Sequence, residues 1–384
     1  MKPEPILPGA TIGILGSGQL GRMLAIEARN MGYGVRVFSP DRETPCGQIA
    51  DSETAAEYLD SDAVRAFAQT VSVVTYEFEN VPSETVTAIE AVGVPVRPGA
   101  RVLHIAQNRL REKQYFQALG IPTPPFVHIT SGADAAAGLH AINGYGVLKT
   151  AGAGYDGKGQ RMIRTEAEAH DAFAELGGVE CILEGFVDFA WEGSVVAARG
   201  IAGDFQHYGL VKNDHVNHIL DVTTAPAPGI SPTLTKTALD ATRAIMDGLG
   251  VVGVLCVEFF VTQGGDLIAN EMAPRPHNSG HWTMDGAVTG QFEQQLRAVC
   301  GLPLGETRMR SSGSAIVNVL GDLWNRGNPD FTRMLADFPE AKLHLYGKRD
   351  ARVGRKMGHI NINADTPEAA HDRAIAARSR LTPP

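Results

Sequence analysis

The stretch Val254–His281, VLCVEFFVTQGGDLIANEMAPRPHNSGH, restricts this chain more than any other. Two apolar, β-rich runs flank Gly264-Gly265, the pattern of a hairpin with a short glycine loop. With those glycines as the whole loop, Glu258 falls opposite Glu271. Phe260/Ala269 and Thr262/Leu267 then share their face, because side chains alternate along a strand. Directly opposed carboxylates repel, at a cost of roughly 0.2–1 kcal/mol. With Asn270 beside them they also form a hard-oxygen set of the kind that holds Mg²⁺ together with substrate phosphates. The bland alternative is a pair of glutamates on a wet strand face. The tail favours a site: Arg275, His277, Asn278, Ser279 and His281 crowd one proline-punctuated loop, and folding alone requires no such mixture.

At 384 residues the chain exceeds one ordinary core, so two or three domains are expected. Its 43 % hydrophobic content and 43 glycines suit an α/β enzyme. A net charge of -9 without a long basic run argues against nucleic acid as a partner. Cys46, Cys181, Cys256 and Cys300 show no CxxC pairing, so neither a zinc site nor a disulfide framework is indicated. No signal-peptide core is seen at the N-terminus, and the most apolar window, around 250–261, is interrupted by Glu258 and too short for a bilayer. A cytoplasmic protein without membrane association is expected.

Residues 11–21, TIGILGSGQLG, read as a strand running into Gly16-x-Gly18-x-x-Gly21 and a helix with Leu20, Met23, Leu24, Ala28 and Met31 on one face. A strand ending near Asp41 follows, in the form of a nucleotide-binding βαβ unit. Asp41 lies 20 residues after Gly21, where an NAD-binding protein keeps its ribose acid, so a dehydrogenase competes here. The strand in VSVVTYEFENVP ends in Glu77, Glu79 and Asn80, and Glu77 could meet a ligand held on the glycine loop. A strand VPVR and a helix around 108–119 follow, with a domain boundary near 107.

A second glycine loop, GVLKTAGAGYDGKGQ over 146–160, presents Lys149 and then Asp156-Gly157-Lys158-Gly159-Gln160. Glycine-rich amides with a lysine suit phosphate oxygens, although GxxxxGK[ST] is absent. The strand in CILEGFVDFAWE delivers Glu184, Phe186 and Val187 with Glu192 beyond, a weak match to a purine slot. Strands through WEGSVVAARG and FQHYGLV place His215 in a connecting loop, and a helix starts at Ser231-Pro232. Past a helix near 287–299 come short strands. Between them lies Lys348-Arg349-Asp350-Ala351-Arg352-Val353-Gly354-Arg355-Lys356, a candidate clamp for a phosphorylated substrate.

Taken together, GxGQLGRM, NRLREK, GYDGKGQ, NExAPRxHNSGHW with paired Glu258 and Glu271, and YGK…RxGRKMGH resemble the N5-carboxyaminoimidazole ribonucleotide synthase family of the ATP-grasp superfamily. The resemblance spans nearly the whole chain. It implies an α/β and α+β ATP-grasp architecture: a Rossmann-like domain over 1–107, an ATP-grasp region over 108–302 with a mobile lid about 115–187, and a small β-rich C-terminal domain over 303–384. The implied reaction is ATP- and bicarbonate-dependent carboxylation of 5-aminoimidazole ribonucleotide via carboxyphosphate, in purine biosynthesis. The implied cofactors are ATP with Mg²⁺ or Mn²⁺, and the implied assembly is a homodimer.

By the same resemblance Arg109 and Lys149 would contact ATP phosphates, with Gly154, Tyr155, Asp156, Gly157, Lys158, Gly159 and Gln160 over them. Glu184, Gly185, Phe186 and Val187 would hold adenine, Glu192 the ribose, with His215 near the nucleotide. Glu258 and Glu271, beside Asn270, would bind the metal. Gln19, Glu77, Tyr155, Asp156, Arg275, His277, Asn278, Ser279, Lys348 and Arg355 would hold the ribonucleotide, with Asp156, Arg275, His277 and Lys348 nearest the chemistry. Two departures are minor: Asn108 stands where aspartate is expected, and Lys158 where arginine is common. The rival enzymes are another ATP-grasp ligase, such as a formate-dependent glycinamide ribonucleotide transformylase or a carboxylase acting on another amine, and an NAD-dependent dehydrogenase. A non-catalytic ATP-binding regulator is the third rival. The dehydrogenase leaves the second glycine loop and the carboxylate pair unexplained.

Overall fold

A computed structural model describes residues 4–152 and 159–382. Its described strands form three sheets. The first is parallel, in the order Ser52–Ala55, Gly34–Ser39, Thr11–Leu15, Val73–Tyr76. Ile12, Ile14, Val35 and Val37 are fully buried, as expected for a sheet covered on both faces. The helix Gln19–Asn30 buries Met23, Leu24 and Ala28 against them. The expected strand VPVR reduces to one bridge, Val74 to Val96.

The second sheet has eight antiparallel strands: Leu267–Ala273, Gly253–Thr262, Phe189–Arg199, Phe205–Val216, Ile219–Ala225, Gly313–Leu320, Lys356–Ala364 and Lys342–Leu345. Helix Pro232–Leu249 packs Ala238, Ile245 and Met246 on Val195, Leu210 and Leu255. Ser231 caps its start by accepting from Leu234 N–H, and Gly250, at φ 64°, ends it in the left-handed region that favours glycine. The sheet runs without a break across residue 303, because Val222 pairs with Val317.

The third sheet is smaller and antiparallel: Phe126–Ile129, Cys181–Gly185, Gly146–Thr150, Gln160–Ile163. Helices Gly132–Ala141 and Glu166–Glu175 back it through Ala135, Leu139, Ala169 and Ala172. Among the described residues no helix is long and apolar enough to cross a membrane.

The hairpin forms, with one change of register. Glu258 does pair with Glu271, but beyond them Phe259 pairs with Ala269 and Val261 with Leu267, so the expected Phe260/Ala269 and Thr262/Leu267 pairs do not occur. The loop is one residue longer than two glycines: Thr262 N–H donates to Asp266 O at 2.9 Å, and Gly265 takes φ 85°. Three-residue loops with a left-handed glycine are a standard alternative. Asn270 is the extra residue that restores the register at the glutamates, a β-bulge.

Candidate active site

A cleft of about 1290 Å³ opens where the three sheets meet. That exceeds the roughly 300–1,000 Å³ of a pocket for one small ligand. On its large-sheet wall, half-buried Glu258 faces Glu271. Burial pushes the Glu258 carboxyl up, and the Glu271 charge pushes it further. His277 Nε2 stands 3.2 Å from Glu258 Oε1. Burial first, then Arg275 and Lys356, push His277 well below its ordinary range. For a divalent cation the donors fit: two opposed carboxylates, hard in character, whose mutual repulsion a cation would relieve. Among the described residues no group of three or more His, Cys, Asp or Glu could hold a metal alone. A cation here would need further oxygens, such as those of a phosphate, to complete its shell, which is the habit of Mg²⁺.

The opposite wall comes from the small sheet. Lys149, on Gly146–Thr150, donates to Glu184 Oε2 at 2.8 Å. Burial alone would raise Glu184, but Lys113 and Lys149 outweigh it and bring the carboxyl down to about 2. Gly185, Phe186 and Val187 line the cleft beyond it, and Phe186 packs on Tyr145 with ring centroids 4.6 Å apart. Arg109 opens helix Arg109–Ala118, capped by Asn108, and its guanidinium donates to Thr150 O at 3.1 Å. The Asn108 departure therefore costs nothing locally: its oxygen accepts from Leu110 and Arg111 N–H groups as aspartate would.

Glu192 sits 2.6 Å from His215 Nδ1. His215 lies within strand Phe205–Val216 rather than in a loop, beside a register shift that follows Asp214. Burial would lower His215, but the hydrogen bond and charge of Glu192 raise it. Gln160 and Asn270 line the same cleft, and Gly159 precedes Gln160 at φ 71°. Gly154, Tyr155, Asp156, Gly157 and Lys158 lie outside the described residues.

The first glycine loop is filled from within. Gly18 N–H donates to Glu77 Oε1, and Gly21 N–H to Oε2 at 2.6 Å. A Cβ on Gly18 would meet Glu77 Oε1 at 2.9 Å, so glycine there makes room for this carboxylate. Glu77 thus occupies the place a dinucleotide pyrophosphate would take, and Asp41 is exposed. Both observations remove the dehydrogenase reading. Replacing Glu77 by Ala should strand two N–H groups, one buried and one part-buried, and cost about 2–3 kcal/mol. Urea unfolding measures this, and an unchanged midpoint would show that the loop holds itself.

Other expected ligands are arranged differently from the sequence reading. Ser279 is fully buried, and its hydroxyl engages His277 Nδ1 at 2.8 Å and Ser194 Oγ at 2.7 Å. It therefore supports His277 rather than facing the cleft. Asn278 exchanges amide hydrogen bonds with Asn318 yet borders the cleft, as Gln19 does. Lys348 Nζ donates to Lys356 O at 2.7 Å, and Arg355 donates to Asp350 O at 2.9 Å. Lys356, not Lys348 or Arg355, lines the cleft. Glu79 is a further site residue, which the sequence marks only as part of a polar strand end. Its carboxylate takes one edge of Arg275, Nε at 2.5 Å and an Nη at 3.0 Å. A polar strand end was the available signal, but it could not single out Glu79 from Glu77.

A lysine-bearing antiparallel sheet and a carboxylate hairpin facing across one cleft define an ATP-grasp enzyme, and family matches agree in order. Residues 9–107 match the ribonucleotide synthetase preATP-grasp domain, 114–292 the ATP-grasp domain and 314–373 the phosphoribosylaminoimidazole carboxylase C-terminal domain. The chain is 41 % identical over 366 residues to N5-carboxyaminoimidazole ribonucleotide synthase of Bacillus subtilis (strain 168), covering 94 % of this chain and 93 % of that one. Its fold superimposes on the N5-carboxyaminoimidazole ribonucleotide synthetase of Thermus thermophilus with TM-score 0.88 and 46 % identity, covering 97 % and 99 %. An Aspergillus clavatus N5-carboxyaminoimidazole synthase, in complex with ADP and 5-aminoimidazole ribonucleotide, gives TM-score 0.86 and 27 % identity over 97 % and 99 %. The chain belongs to the N5-carboxyaminoimidazole ribonucleotide synthase family and is an ATP-dependent ligase.

Proposed function

We propose that this chain uses ATP and bicarbonate to carboxylate the exocyclic amine of 5-aminoimidazole ribonucleotide, as the step its relatives are named for. The observation that carries this reading is the opposition of Lys149 and Arg109 to Glu258 and Glu271 across a cleft large enough for two ligands. In the first step a bicarbonate oxygen attacks the γ-phosphorus, the bond to the β-phosphate oxygen breaks, and ADP and carboxyphosphate result. In the second the amine attacks the carboxyl carbon and inorganic phosphate leaves.

Lys149 and Arg109 would neutralise charge on the transferring phosphoryl group. With its carboxylate held by lysines, Glu184 leaves adenine to the Gly185–Val187 backbone and the Phe186 ring, while Glu192, steadied by His215, takes the ribose. Glu258 and Glu271, with Asn270 beside them, would hold Mg²⁺. That ion supplies charge neutralisation between phosphoryl oxygens. His277 and Asp156 would orient the amine or accept its proton. Arg275 and Asn278 would serve the ribonucleotide, with Gln19 at its edge; Lys348 and Arg355, which stand outside the cleft lining, would have to reach it past Lys356. The loop over the phosphates would exclude water, which otherwise consumes carboxyphosphate. The division at 107 and 302, the lid over about 115–187, a homodimer and a cytoplasmic location belong to the same reading.

The test is ADP formation with bicarbonate, with and without 5-aminoimidazole ribonucleotide. Stimulation by that acceptor supports the assignment; stimulation only by glycinamide ribonucleotide with formate would replace it. Lys348→Ala should raise the ribonucleotide KM at least about tenfold, the scale of one lost charged contact of 1.5 kcal/mol or more, and leave the ATP KM nearly unchanged. Equal shifts in both would remove Lys348 from that role.

A further inference from the structure

Two side chains that the reading above leaves unassigned grip the hairpin on either side of Glu271. Lys113 and Glu112 are neighbours on helix Arg109–Ala118, and both are buried, at 1 % and 3 % exposure. Charged side chains are almost never buried this far unless something specific holds them. Lys113 Nζ donates to Asn270 O, reaches Ala269 O at 3.4 Å, and lies 3.7 Å from Glu184 Oε1. Glu112 Oε1 accepts from Met272 N–H at 2.6 Å. The peptide groups before and after Glu271 are thus bound by adjacent cation and carboxyl, and the first belongs to the bulge that brings Glu271 opposite Glu258.

The contacts continue to the other wall. Glu184, which receives Lys113 on one oxygen, receives Lys149 on the other. A continuous series, Lys149–Glu184–Lys113–Asn270 O, therefore joins the phosphate-facing lysine to the backbone beside the cation-facing carboxylate. An apolar residue at 113 would pack a helix equally well; a buried ammonium is worth its desolvation only if the placement of its partners matters.

We propose that Lys113 and Glu112 are positioning residues that clasp the Asn270 bulge, set the direction of the Glu271 carboxylate and tie it to Glu184 and Lys149. The clasp acts through Glu271, and neither residue is assigned a contact with substrate. It rests on the nucleotide and Mg²⁺ reading given above.

The experiment measures ADP affinity of the full chain by calorimetry, with Mg²⁺ and with EDTA, for wild type, Lys113→Met, Glu112→Leu and Glu112→Gln. Thermal unfolding of the ligand-free proteins accompanies it. Lys113→Met and Glu112→Leu are expected to lose at least tenfold of the affinity gain that Mg²⁺ confers, while still unfolding cooperatively. Glu112→Gln keeps an oxygen for Met272 N–H and is expected to restore most of that gain. An unchanged Mg²⁺ gain in Lys113→Met overturns the clasp. So does failure of both Lys113→Met and Glu112→Leu to fold, which would make the pair structural, and so does a Glu112→Gln protein as impaired as Glu112→Leu. A wild type whose ADP binding ignores Mg²⁺ would instead defeat the underlying nucleotide reading.

Discussion

Glu271→Gln is expected to lower kcat by at least about 10³-fold, at the upper end of what removing one preorganised transition-state contact costs, and to leave the fold intact. The exchange keeps shape and removes one of two charges available to the cation. Its effect on stability should have the opposite sign from its effect on turnover. The Glu258 carboxyl is pushed up by burial and by Glu271, so neutralising Glu271 relieves a repulsion. The ligand-free variant should be as stable as wild type or better by up to about 1 kcal/mol, the scale of a directly opposed like-charge pair. ATP hydrolysis within a few-fold of wild type, or a clear drop in Tm, would sink the assignment.

Arg275→Met should be the most damaging change to the ligand-free protein. Arg275 and Glu79 meet in a bidentate pair through one guanidinium edge, Nε and one Nη, with side-chain exposures of 16 % and 25 %. Burial raises Glu79, but Arg275 more than offsets it and lowers the carboxyl. Removing the guanidinium takes away the main compensation of that charge, with a second buried carboxylate, Glu77, two residues away. Breaking one partner of such a pair costs about 3–5 kcal/mol. Arg275→Met with Glu79→Gln should recover much of that loss, since neither half then remains charged, but not the activity. Denaturant unfolding of both variants decides it: a double variant no more stable than the single would show that the guanidinium acts through packing alone.

A local hairpin pattern made it legible that Glu258 and Glu271 come near one another, but their direct opposition rests on two departures that cancel: a loop one residue longer than the glycine pair, and a bulge. The bulge at Asn270 was not legible. Ala269 N–H is taken by Pro122 O at 2.8 Å and Asn270 O by Lys113, contacts from a helix and linker some 150 positions upstream. Glu77 shows the same limit. Its place at a strand end was readable, but its docking onto Gly18 and Gly21 depends on Thr11–Leu15 and Val73–Tyr76 lying side by side. A glycine fingerprint therefore reported a close backbone approach correctly and its occupant wrongly. Lys113 read as one more charge in a polar helix, NRLREKQYFQAL, whose buried side no periodicity announced. His215 was misplaced because a polar FQHYGLVKNDHV conceals a twelve-residue strand, whose last five residues, Lys212–Val216, are paired by Ile219–Ala225.

One sheet crossing residue 303 has a practical corollary for anyone cutting this chain. A fragment ending near 302 would retain Ile219–Ala225 but strip away its partner Gly313–Leu320, exposing backbone amides and carbonyls of Val222 through Ala225 along an apolar margin. Such raw edges recruit other chains. The reciprocal fragment would start with the opposite margin bare, and helix Pro367–Ser379 would lose its contacts with Ile219–Ala225 while keeping Gly313–Leu320 and Lys356–Ala364 beneath it. Separately expressed pieces should precipitate, and joining them in trans should succeed only if that seam can re-form.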